Sequence, residues 1–150
     1  WLLRDQYPAH GVPLKGRVRH LSEVLAPRAA RLPVQRPLPA AAYHDPCHLG
    51  RRLGIYEEPR ALLARAAAAT VEFPDNRAAA ACCGAGGCVP QTLPAAARAM
   101  ATERLADRPA EAALIVTACA SCQGALSAAS PDIPVLDLLE ALDQALGPPT

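Results

Sequence analysis

The stretch that most narrows the possible folds is 113–117, Ala-Leu-Ile-Val-Thr. Strands with one wet face alternate apolar and polar residues, whereas a parallel strand covered on both faces does not. This run has no alternation and predicts a buried parallel strand, which needs helical crossovers on either side. The neighbouring sequence offers them. Residues 94–107 are an Ala-rich helix pattern stopped before Pro109, and a further helix opens at Cys119 and runs to about residue 129.

The rest of the chain continues the alternation. Residues 1–15, with Tyr7-Pro8, Gly11 and Pro13, read as irregular. Val18, Leu21, Val24 and Leu25 recur at helical spacing and predict a short helix over 16–26, ended by Pro27. Pro27, Pro33, Pro37 and Pro39 make 27–39 a stiff, extended connector. Residues 40–44 are a strand candidate, Gly50 and Gly54 a turn, and Pro59 sits in the first turn of a helix reaching about 69. Residues 70–73 form a second strand, 82–88 a loop, and 134–136 a short strand; Asp137 then caps a helix ending near Gly147. The predicted fold is α/β: an open, mainly parallel sheet with helices on both faces. We divide the chain into 1–39, a helix and Pro-rich connector from an upstream unit, and 40–150, the sheet-bearing domain. The chain opens on Trp1 with no signal-peptide pattern and reads as a piece of a longer protein.

Composition removes several functions. A formal charge of +1, with Lys15 the only lysine and the arginines scattered, argues against nucleic acid as a partner. No apolar run is long enough to span a bilayer. Aromatic residues are only 3% of the chain, so the core is built from Leu, Val, Ile and Ala. Gly84-Ala85-Gly86-Gly87 lacks the lysine and spacing of a phosphate-binding loop.

Six cysteines in 150 residues carry the chemistry. Cys47 follows one predicted strand and Cys119 another, so both belong on the carboxyl edge of a parallel sheet, where ligands bind. The loop bearing Cys82, Cys83 and Cys88 follows a third strand and can reach the same edge. Cys119 and Cys122 share one side of a helix start, whose free N–H groups favour thiolate. Gly84, Gly86 and Gly87 allow a tight turn whose N–H groups can face a sulfide or other anion. A disulfide framework fits poorly, because adjacent cysteines are strained partners and such frameworks are usually shorter and loop-rich. Soft thiolates in this number select an iron–sulfur cluster or zinc. A thiol–disulfide oxidoreductase working through Cys119 and Cys122 is the third possibility.

The flanking residues have plainer roles. His44 and His48 beside Cys47 are more simply loop-satisfying residues than ligands. Asp45-Pro46 reads as a turn that fixes Cys47, Arg51 and Arg52 as a solvated turn or a counter-charge, and His20 and Glu23 as surface residues. Cys88 reads best as a small buried thiol.

Cys47, Cys82-Cys83 and Cys119-x-x-Cys122 together resemble the cysteine-rich CCG domain family. That family includes a subunit of heterodisulfide reductase and the iron–sulfur subunits of glycolate oxidase and lactate-utilisation systems. Thirty-four residues separate Cys47 from Cys82, and thirty-five separate Cys83 from Cys119. The Tyr-His-Asp-Pro-Cys-His-Leu-Gly-Arg, Gly-Ile-Tyr-Glu-x-Pro-Arg and Val-Arg-His-Leu-Ser-Glu-Val-Leu stretches are similar to the second, C-terminal CCG unit of such proteins. The resemblance implies a [4Fe–4S] cluster, the noncubane type included, on Cys47, Cys82, Cys83, Cys119 and Cys122, with zinc as the alternative. It further implies upstream CCG and ferredoxin-like modules, a flavin-containing dehydrogenase subunit as partner, and a cytoplasmic location with at most peripheral attachment to the inner face of the membrane. The function implied is electron transfer in an oxidoreductase acting on a 2-hydroxy acid such as glycolate or lactate, or on a disulfide. One position departs from the pattern: Cys88 stands where glycine is expected.

Overall fold

The computed structural model describes residues 1–148; residues 149–150, the end of the predicted domain, lie outside it. Four strands, β1 (Ala41–His44), β2 (Thr70–Glu72), β3 (Leu114–Thr117) and β4 (Val135–Asp137), form one sheet in the order β2-β1-β3-β4. Every pairing is parallel, and His44 on β1 stands opposite Thr117 on β3. The α/β expectation is met, and β3 is buried along its whole length.

Five helices matter to the packing: α1 (Leu21–Leu25), α2 (Glu57–Ala66), α3 (Pro94–Ala106), α4 (Ala120–Ala129) and α5 (Leu138–Leu146). Successive strand residues point to opposite faces. Ala41, Tyr43, Leu114 and Val116 meet Leu62, Leu63 and Ala66 of α2 and Leu138, Ala141 and Leu142 of α5. Ala42 and Ile115 meet Phe73, with Ala101 and Leu105 of α3 and Leu126 of α4. Leu62, Leu63, Ile115 and Leu126 are fully buried, each contributing roughly 1.5–3 kcal/mol by removal from water. Asp137 starts α5 as expected, accepting from the Leu139 N–H at 2.8 Å while Glu140 accepts from the Asp137 N–H at 3.0 Å.

The amino-terminal expectations are corrected. Residues 1–15 contain two helical turns, Leu2–Gln6 and Tyr7–Ala9, held by local bonds such as Asp5 N–H to the Trp1 carbonyl. The helix predicted over 16–26 begins only at Leu21. Gly16 holds a φ of +108°, and His20 is the helix cap: its ring accepts from the Ser22 N–H, and Glu23 accepts from the His20 N–H at 2.8 Å. His20 and Glu23 are therefore a capping pair, half-buried, rather than plain surface residues. The connector begins as a tight helical turn, Ala26–Arg31, with Pro27 in its first turn. Beyond it Leu38 bridges to Ala67, and Leu32, Val34 and Leu38 pack against the α2–α5 core.

Candidate metal centre

The strand order changes direction between β1 and β3. Chain leaving the carboxyl ends of these two strands diverges there, which opens a crevice without any special folding. Cys47 lies three residues past the end of β1, at the start of a wide helical turn, His48–Arg52. Cys119 is the cap of α4, in extended backbone, and places Cys122 in the first turn. Cys82 and Cys83 arrive on the loop between β2 and α3. His44, Cys47, Cys82, Cys83 and Cys122 line one cleft, of about 10 Å³, room for about one water.

The centre of the group is buried. Cys83 Sγ lies 3.1 Å from Cys122 Sγ. His44, Cys83 and Cys122 offer one donor atom each, all within 4.8 Å of one another. The Cys122 thiol acts on two neighbours. It holds Cys83 well below the ordinary thiol range, helped by the His44 ring and the Ala85 N–H and opposed by burial. It also holds Cys119 down to about 5, where the Cys122 and Ser121 N–H groups at the start of α4 add to the effect and burial opposes it. Cys122, between the two and desolvated, is pushed up. The three sulfurs are thus coupled, and the two with lowered pKa lean towards the deprotonated form that metal ligation needs. Cys82 accepts from the Gly84 N–H at 3.4 Å.

The loop around Cys82 is held from two sides. Gly84 has a φ of +79°, and a Cβ there would stand 2.3 Å from the Ala97 carbonyl oxygen of α3. Gly84 therefore serves close packing on α3 as well as the turn. Gly86 and Gly87 are exposed with open space around them. Arg51 donates from Nε to the Ala78 carbonyl at 2.8 Å and from its guanidinium to the Ala80 carbonyl, so it clamps the approach to Cys82 rather than solvating a turn. Arg52 stacks on Trp1 instead, 4.6 Å from the ring centroid.

Three features are not legible in the sequence. Asp45 is almost fully buried and pairs with Arg60 through both oxygens at 2.7 Å, while also accepting from the Arg77 N–H at 2.8 Å. Arg77 is the one non-glycine residue with positive φ among the described residues, at +52°, and Asp45 holds it there. Arg104 of α3 is fully buried and donates to His44 Nδ1 at 3.1 Å. The third is a correction: Cys88 is exposed, not buried, because the loop turns outward after Gly86. The five other cysteines converge; Cys88 stands apart.

The likenesses agree with this geometry. The chain is 35% identical over 146 residues to a subunit of the dihydromethanophenazine:CoB–CoM heterodisulfide reductase of Methanosarcina barkeri, covering 91% of this chain and 36% of that one. It is 32% identical over 149 residues to a subunit of the fumarate reductase (CoM/CoB) of Methanothermobacter marburgensis, covering 95% and 30%. It is 39% identical over 90 residues to the Bacillus subtilis protein named "Probable iron-sulfur-binding oxidoreductase FadF", covering 57% and 12%. The chain thus spans about a third of the length of the first two relatives. Residues 41–127 match the model of the CCG cysteine-rich domain, from β1 to α4 and including all six cysteines, and the chain belongs to that family.

Proposed function

We propose that the chain is an iron–sulfur electron-transfer module of an oxidoreductase, with a [4Fe–4S] cluster, the noncubane type included, held by Cys47, Cys82, Cys83, Cys119 and Cys122. The observation that carries this reading is the convergence of five thiols on one sheet edge, with Cys83 Sγ 3.1 Å from Cys122 Sγ. Hard cations take oxygen ligands, whereas thiolates select iron–sulfur clusters or zinc, and five of them exceed the four that close a zinc tetrahedron. Such a cluster, when bound, supplies one-electron redox chemistry. The protein's part is to hold the thiolates, exclude water around Cys83 and Cys122, and aim N–H groups from Gly84 and the start of α4 at sulfur, which sets potential. Gly86 and Gly87, unpacked, leave the loop free to widen the narrow cleft.

The relatives' names support the same reading: a heterodisulfide reductase component, a fumarate reductase component and an iron–sulfur-binding oxidoreductase. They favour a place in a multi-subunit complex, with residues 40–150 as the CCG unit and 1–39 as its connection to upstream CCG and ferredoxin-like modules. The electron donor in this proposal is a flavin-containing dehydrogenase component, and the substrate a disulfide or a 2-hydroxy acid. Among the described residues no helix is long and apolar enough to cross a membrane. The proposed module is cytoplasmic and at most peripherally attached.

Zinc is the second reading, because His44, Cys83 and Cys122 lie as close together as three ligands of a tetrahedral site. Anaerobic reconstitution separates the two. The cluster reading expects a brown protein with iron and acid-labile sulfide in similar amounts. A colourless protein with stoichiometric zinc and no sulfide overturns it. A metal-free thiol–disulfide activity, lost only in Cys119→Ser or Cys122→Ser, would support the third possibility.

A further inference from the structure

We propose that Arg104 is a positioning residue of the cysteine centre: it occupies His44 Nδ1, fixes the ring with its proton on Nε2, and so keeps the histidine out of the ligand set. The geometry of this inference stands on the metal-free chain; its consequence for redox chemistry rests on the iron–sulfur reading above.

Arg104 is the largest fully buried side chain among the described residues. A buried guanidinium is expensive unless a carboxylate neutralises it. Among the described residues Arg104 makes no ion pair. Its partners are the face of Phe73, 3.8 Å from the ring centroid, the Asp75 carbonyl at 2.9 Å and His44 Nδ1 at 3.1 Å; Nη2 has none. Burial pulls its pKa below the ordinary arginine value, with Asp45, Asp107 and Asp75 opposing from a distance. The guanidinium thus stands one residue, His44, away from the cysteine centre.

The tautomer of His44 follows from donor counting. Arginine donates and never accepts, so Nδ1 must be the acceptor and carries no proton. A neutral imidazole then has its proton on Nε2. The ring lies beside the thiols, with one of its nitrogens and the Cys83 and Cys122 sulfurs all within 4.8 Å of one another. With Nδ1 accepting from Arg104 and Nε2 protonated, neither ring nitrogen has a free lone pair. Such a ring has no lone pair to give a metal, and the guanidinium against it opposes a second cation. The His44–Cys83–Cys122 triangle is therefore two thiol groups and a donor, and the ligand set is sulfur only.

The test needs no variant to begin. Long-range proton–nitrogen correlation on metal-free, histidine-labelled full chain is expected to show His44 with its proton on Nε2; a proton on Nδ1 overturns the proposal. Pulsed electron paramagnetic resonance of the reduced, reconstituted chain is expected to show no coordinated histidine nitrogen, and a directly bound nitrogen overturns it too. Arg104→Met is expected to scramble the tautomer and to make the reduced form about tenfold less populated at a fixed solution potential, a downward move of ~59 mV for one electron. Arg104→Lys, which keeps the charge, is expected to retain most of the potential. An unchanged potential in Arg104→Met contradicts the charge role. Should the wild-type chain assemble no iron and sulfide, the iron–sulfur reading falls, while the tautomer measurement still decides the Arg104–His44 inference.

Discussion

Cys83 and Cys122 stand thirty-nine positions apart in sequence and 3.1 Å apart in space, sulfur to sulfur, both buried on the α3–α4 side of the sheet. Neither belongs to a strand. Their contact is made by the loop after β2 meeting the first turn of α4, so it reports whether two separate ligand-bearing segments are in register.

That contact predicts the product of mild oxidation. Diamide, the two-electron oxidant, should remove both thiol hydrogens from the metal-free chain and join Cys83 to Cys122, leaving Cys88 free to alkylate. Peptide mapping by mass spectrometry checks this. A dominant Cys82–Cys83 link, or loss of Cys88 before the buried pair, would mean that the loop does not sit as described.

Asp45 ties Cys47 to the loop that carries Cys82. Asp45→Asn breaks a buried ion pair while leaving Arg60 in place, and should cost about 3 kcal/mol in urea unfolding. Arg77, held at a φ of +52° by the same carboxylate, should relax with it. The variant is therefore expected to bind less iron as well as to unfold earlier. Wild-type stability in Asp45→Asn would show that the pair is solvated and of little consequence.

The loop glycines should separate sharply. Gly84→Ala puts a methyl against the Ala97 carbonyl at a positive φ, for an expected loss of about 2–4 kcal/mol. Gly86→Ala meets open space and should change stability by less than about 0.5 kcal/mol. Thermal unfolding of the two variants side by side is sufficient. Equal effects would rule out the close approach of this loop to α3.

His20 gives the fold a pH dependence away from the cysteines. Burial lowers its pKa below the ordinary 6.5, with Glu23 and Asp137 opposing. The neutral ring caps α1, and protonation removes the acceptor. Because the folded value is the lower one, the cap's contribution, about 1 kcal/mol, is complete above pH 6.5 and is lost as pH falls through the folded pKa. His20→Asn, a cap that does not titrate there, should flatten the slope of stability against pH in that window. A slope unchanged by the substitution would place the acid sensitivity elsewhere.

Much of the fold is legible in the sequence because its signals are local. The unbroken apolar run of β3, Asp137 with Glu140 three residues on, and Cys119-x-x-Cys122 at a helix start each declare themselves within a few residues. The carboxyl-edge rule then brings Cys47, Cys83 and Cys119 together without coordinates. What escapes is long-range pairing between side chains. Arg104 reads as one more charge on an Ala-rich helix, and only the fold buries it against His44, sixty positions away. Asp45 reads as a turn residue until Arg60 and the Arg77 N–H are seen around it. Cys88 looks equal to its neighbours in sequence, but the glycines before it turn the chain outward. The cap at His20 is hard to read because histidine is an uncommon cap, although Glu23 three residues later is the available signal.

The central claim is that five of the six cysteines hold one cluster. Its most direct measure is iron and acid-labile sulfide per chain after anaerobic reconstitution of each single Cys→Ser variant. Loss is expected for Cys47, Cys82, Cys83, Cys119 and Cys122, with full loading in Cys88→Ser. Full loading in two or more of the first five, or loss in Cys88→Ser, would contradict the account.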